Sequence, residues 1–151
     1  MTRRTLLALP FAMRLRADSA RDVWDLVAEA AHELSEGNDE AFMGCFDPKM
    51  PGYERLRADV AALIREAPPP DSQAASQRGG LYSSVELVSD QGDDQTRSLE
   101  VDWLLDIRQM EGSIGSIRRQ ERVKVRAAKT GKKWRIVAFE PETLFAPPDS
   151  R

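Results

Sequence analysis

Arg119 and Glu121 share the parity of Val123 and Val125, so in an extended chain all four side chains leave the backbone on one face. These are the two polar side chains best placed to face inward, and such a pair has two chemical uses. Glu121 could act as a base on a hydrophobic carbonyl compound, with Arg119 or the Tyr53 phenol as its electrostatic partner. Alternatively, the pair could hold a carboxylate-bearing or polar ligand. The plainer reading is that the two pair with each other near the end of the sheet and only shape the fold. His32, the sole histidine, falls about 140° from the centre of its helix's apolar stripe, among Asp25 and Glu29, which reads as a solvated position. Cys45 is also alone, excluding an intrachain disulfide and any multi-cysteine metal site. It reads as a small buried hydrophobe beside Phe42 and Phe46.

The elements that position these residues can be traced from periodicity. Arg21 to Leu34 carries Val23, Trp24, Val27, Ala30, Ala31 and Leu34 in one stripe, an amphipathic helix that Asp18 or Ser19 would cap and Gly37 would end. A short helix follows from an Asn38 cap to about Phe46, and a third runs from Tyr53 to Ala67, ended by Pro68-Pro69-Pro70. Residues 71–80 lack apolar periodicity and read as a loop. Leu81–Ser89 is a strand, and the turn at 90–94 leads into Leu99–Arg108. There Leu99, Val101, Trp103, Leu105 and Ile107 alternate with polar residues, the pattern of a half-buried strand. Arg118–Ala127 repeats it, and Thr130-Gly131-Lys132 turns into a last strand ending at Phe139 before Pro141. If Trp103 faces the helices, Asp102 and Asp106 face outward. They would then pair with the row Arg118, Arg122, Lys124 and Arg126, at roughly 0.2–1 kcal/mol per opposite-charge pair. Trp24, Trp103 and Trp134 take inward positions suited to core packing.

Composition sets the outer limits. A chain of 151 residues with 41% hydrophobic and 31% charged residues fits one water-soluble domain, and no apolar run reaches the roughly 20 residues needed to span a bilayer. The first 20 residues resemble a twin-arginine export signal: Arg3-Arg4, an apolar run to Met13, then small residues at Ala17 and Ala20. Cleavage after Ala17 would remove four of the 22 basic residues, leaving 18 against 25 acidic and a formal charge of −7. That balance, with no aromatics interleaved in the basic row, argues against nucleic-acid binding.

Laid end to end, these elements resemble the nuclear-transport-factor-2-like superfamily over about residues 21–145. The likeness rests on Glu36-Gly37-Asn38-Asp39 before Phe42 and Phe46, on Arg119-Gln120-Glu121-Arg122-Val123, and on the hairpin closing at Lys133-Trp134-Arg135-Ile136. It implies an α+β cone in which three helices pack on a curved, mainly antiparallel sheet of about four strands. In ketosteroid isomerase-like and polyketide cyclase-like relatives, the cavity between them holds small molecules. The small hairpin common between the second and third helices has no room in Asp47–Gly52, which implies a more open mouth or one remodelled by residues 68–80. The resemblance also implies a homodimer through the outer sheet face.

The expectation is therefore a 21–145 domain behind a twin-arginine-type export signal or a disordered N-terminus at 1–20, with a loose tail at 146–151. It would be exported, or otherwise cytoplasmic. It would be non-enzymatic and cofactor-free, and would bind a small apolar or amphipathic molecule or a protein partner. Arg119, Glu121, Tyr53, Trp103 and Trp24 are the pocket candidates, and Glu121 is the one catalytic candidate. A lyase or isomerase using Glu121 is the rival. A structural module with a filled cavity is the third reading.

Overall fold

The computed structural model describes residues 2–67, 80–108 and 116–147, with side chains described over 18–67, 80–107 and 117–147. Three helices come first: α1 (Thr2–Ser35), α2 (Asp39–Gly44) and α3 (Tyr53–Glu66). Four strands follow: β1 (Gly80–Gly92), β2 (Thr96–Arg108), β3 (Ser116–Thr130) and β4 (Lys133–Glu140), with a 3₁₀ turn at Glu142–Phe145. The strands form one antiparallel sheet in the order β1-β2-β3-β4, with the helices against one face.

The first helix differs from its expected start. It runs unbroken through Asp18 and Ser19, so neither residue caps it. Ser19 is instead buried inside the helix, where its hydroxyl donates to Asp94 Oδ1 at 3.0 Å on the β1–β2 turn. The other end follows the pattern. Gly37 takes φ 74° and ends α1, while the Asn38 side chain accepts from the Ala41 amide to start α2.

Alternation on the central strands sorts oil from charge. Leu99, Val101, Trp103, Leu105 and Ile107 are all buried, and Trp103 is 0% exposed. On the opposite face Asp102 lies across from Arg122 and Asp106 across from Arg118. The Arg122 guanidinium donates to both Asp102 oxygens, at 2.9 and 3.2 Å. This pair holds the Asp102 carboxyl below the usual carboxylate range, chiefly through its hydrogen bond from Arg122.

The C-terminal end departs most from expectation. The strand does not simply run out into a tail. The 3₁₀ turn buries Leu144 and Phe145, and Ala146 is buried after it. Its first residue, Glu142, lays its carboxylate against Gly52 at the start of α3. Residues 68–79, expected as a loop, and 148–151 of the tail lie outside the described residues.

Candidate functional site

Three of the pocket candidates, Trp103, Arg119 and Glu121, lie on the inner face of the sheet, and Trp24 and Tyr53 lie on the helices. Register sets Glu121 opposite Trp103 and Arg119 opposite Leu105, so both polar residues share the face of the buried strand residues. Arg119 is only 5% exposed, and its Nη1 donates to the carbonyls of Leu144, at 2.7 Å, and Ala146, at 2.5 Å. A guanidinium spent on two backbone carbonyls is fastening the 3₁₀ turn to β3. Glu121 is half-buried beside it.

Trp103 occupies the centre of the cone. Its indole N–H donates to Ser83 Oγ at 2.8 Å, satisfying the one polar group of an otherwise apolar side chain. Phe145 meets it edge-on at 5.2 Å between ring centroids, and Phe139 does so at 5.6 Å. Phe42 packs on Phe145 at 5.3 Å and on Phe46 at 5.0 Å. Five aromatic rings thus pack together between the helices and the sheet. Trp24 and Tyr53 are half-buried and pack on the margin of this core. Trp103, Trp24 and Tyr53 therefore share one core, with Trp103 inside the aromatic cluster, while Arg119 is tied to the turn beside it.

Cys45 is buried, and its thiol donates to the Ala41 carbonyl at 3.6 Å. Burial, reinforced by the negative charges of Glu29 and Glu33, pushes the thiol up to about 11. It is a packed, un-ionised group at neutral pH. Among the described residues no cluster of three or more His, Cys, Asp and Glu is arranged to hold a metal, and no helix is long and apolar enough to cross a membrane.

Among the described residues a concavity lies between α1 and β1. This groove of about 540 Å³ has Ala28, Ala31, Leu81 and Val85 as apolar lining, with His32, Ser35, Glu36, Tyr82 and Ser84 as polar lining. His32 is exposed, as the helical angle requires, but it borders this groove. Sequence reasoning missed the groove because its lining alternates between two elements far apart in the chain. One local signal was available: Tyr82, Val85, Leu87 and Val88 do not keep a single parity. The structure shows why, with a register shift between Leu87 and Ser89 and with Tyr82, Leu87 and Val88 exposed at 57%, 42% and 40%.

Known structures place this architecture. A conserved protein from Planctomyces limnophilus matches with a TM-score of 0.67 and 5% identity, over 82% of this chain and 94% of that one. An NTF-2 like protein of unknown function from Shewanella oneidensis matches with a TM-score of 0.55 and 12% identity, over 80% and 95%. The chain has the nuclear-transport-factor-2-like cone fold. A Novosphingobium aromaticivorans protein provisionally assigned as a scytalone dehydratase shares the cone, with a TM-score of 0.59 and 10% identity over 92% of this chain and 85% of that one. These identities carry the fold alone. No family model matches the chain, and no curated protein matches it.

Proposed function

We propose that this cone-fold domain is a non-enzymatic binding module that keeps its interior closed and meets a protein partner through its surface. The observation that carries this reading is Phe145. The 3₁₀ turn drives its ring into the cone against Trp103, Phe42 and Phe139, and Arg119 fastens the turn from the sheet side. A small-molecule site in the interior would have to displace this aromatic cluster, which contributes burial and edge-on contacts together.

The test is an NMR titration that follows the Trp103 indole N–H, hydrogen-bonded to Ser83, while hydrophobic carbonyl compounds are added. The expected result is an unmoved resonance and slow exchange of that proton. A saturable shift at millimolar ligand or below would show that the interior opens, and the closed-cone reading would fall.

The inward parity of Glu121 favours one second reading, a lyase or isomerase with Glu121 as base. It calls for the same saturable shift, together with turnover abolished by Glu121→Gln. Two further parts of the proposal concern assembly and address. A homodimer through the outer sheet face would appear as twice the 16.9 kDa chain mass in light scattering, before any processing. Export through the arginine-rich leader would appear as a mature N-terminus near Asp18.

A further inference from the structure

We infer that the outer edge of β1, with the α1 face beside it, is a docking site for an extended peptide segment carrying alternating apolar and basic side chains. The inference rests on the binding-module reading and gives it a surface and a partner chemistry. Three observations lead to it.

The first is backbone geometry. Among the described residues β1 is an edge strand of the sheet, paired with β2 alone. The Ser83 amide donates to Ser35 Oγ at 2.8 Å, and the Ser35 hydroxyl donates to the Ser83 carbonyl at 3.2 Å. Ser83 therefore points its backbone polar groups away from β2. In an antiparallel ladder this orientation recurs at every second residue, so Val85 and Leu87 also aim their N–H and C=O at the open edge. Among the described residues these outward groups have no partner. Another extended chain can satisfy such a row in full by strand addition.

The second is the distribution of exposed oil. The large hydrophobics exposed among the described residues are Tyr82, Leu87 and Val88, all on this strand. The groove beside them continues the apolar surface onto Ala28 and Ala31 of α1. A docked strand would lay every second side chain there.

The third is charge. Glu86 lies directly across from Asp102, a like-charge pairing, and the only guanidinium at that row is already bound to Asp102. Glu36 lines the groove, and Asp25 lies one turn before Ala28 on the same helical face. An incoming strand bearing lysine or arginine opposite Glu86 would supply the missing cation; an acidic strand would meet three carboxylates.

The probe is a blocked hexapeptide of alternating lysine and valine, titrated into the full chain while amide hydrogen exchange is read residue by residue. The expected outcome is saturable binding, with exchange at Val85 and Leu87 slowed at least tenfold and the β4 amides unchanged. Glu86→Lys, an exposed substitution, should weaken binding by about threefold, the scale of one cross-strand ion pair. A peptide N-methylated at every residue should not bind.

Equal binding of a glutamate–valine peptide, or of the N-methylated one, would overturn the inference. So would protection of Val85 and Leu87 that appears without peptide and grows with protein concentration, which would make a second copy the occupant. Absence of any protection would overturn it too. If the Trp103 indole remains silent to small molecules in these cases, the closed cone stands and only the docking edge is lost.

Discussion

One sheet here has two edges, treated in opposite ways. At β4, the Ile136 amide donates to the Cys45 carbonyl and the Ile136 carbonyl accepts from the Asp47 amide, both at 2.8 Å. Phe46 forms a parallel bridge to Ile136 and packs its ring on Phe139 at 6.0 Å. At β1, among the described residues, a single serine hydroxyl covers one residue, and the apolar side chains beyond it are exposed. The segment that follows α2 thus covers one edge, while leucine, valine and tyrosine are exposed along the other. Exposed edges are aggregation hazards, which native sheets blunt with charge, bulges or a covering element.

The contrast is sharpest under truncation. Phe46→Ala removes a fully buried ring at the sealed edge and should cost about 3–5 kcal/mol in urea unfolding. The same operation at the open edge, Val88→Ala, should change stability by less than about 0.5 kcal/mol, as surface substitutions do. If Val88→Ala costs as much as Phe46→Ala, the open edge is part of the core and the contrast fails.

Next in size is Gly52→Ala, which probes how the closed end is held. Gly52 takes φ 80°, and a Cβ there would collide with the Glu142 carboxylate. Backbone strain and the displaced Glu142 should together cost about 1–3 kcal/mol. Faster exchange of the Trp103 indole proton would show that the 3₁₀ turn and the interior loosen together. Ser35→Ala should cost about 1 kcal/mol, the net worth of a typical hydrogen bond. Its informative readout is local: exchange at Ser83 should rise to the level of Val85, extending the open edge by one repeat.

These experiments divide along the same line as what could be read from the chain. The inner layer was legible because one rule governs it: residues 99–107 alternate without a break, so a single choice of face for Trp103 placed Asp102 and Arg122 on the other side. α2 and the Gly37 stop were legible because glycine and asparagine carry their conformational reasons locally. The 3₁₀ turn was not. Leu144 and Phe145 follow Pro141 in a segment too short for any periodicity, and their burial depends on Arg119, 25 residues earlier, accepting them. Serine favours the cap position, but Ser19 lies inside the helix and makes a tertiary contact to Asp94 instead. The edge site escaped because it is made of backbone groups and a broken alternation, which identify a strand's place in a sheet only once its neighbours are known.

The smallest expected effect lies on the outer face between the two edges. Arg122 holds the Asp102 carboxyl below the ordinary range first by hydrogen bonding and then by charge, and Asp102 in turn raises the guanidinium. A carboxyl whose folded pKa is depressed binds its proton less readily folded than unfolded. Its contribution to stability is therefore present above the unfolded value and is lost as pH falls through the folded one. Following the Asp102 carboxyl carbon by NMR should give a midpoint below that of a free aspartate, moving upward in Arg122→Gln and in high salt, since the pair is solvent-facing and screened. An unshifted midpoint would mean that Arg122 is free to turn toward Glu86. The uncompensated carboxylate at the open edge, and with it the preference for a basic partner strand, would then disappear.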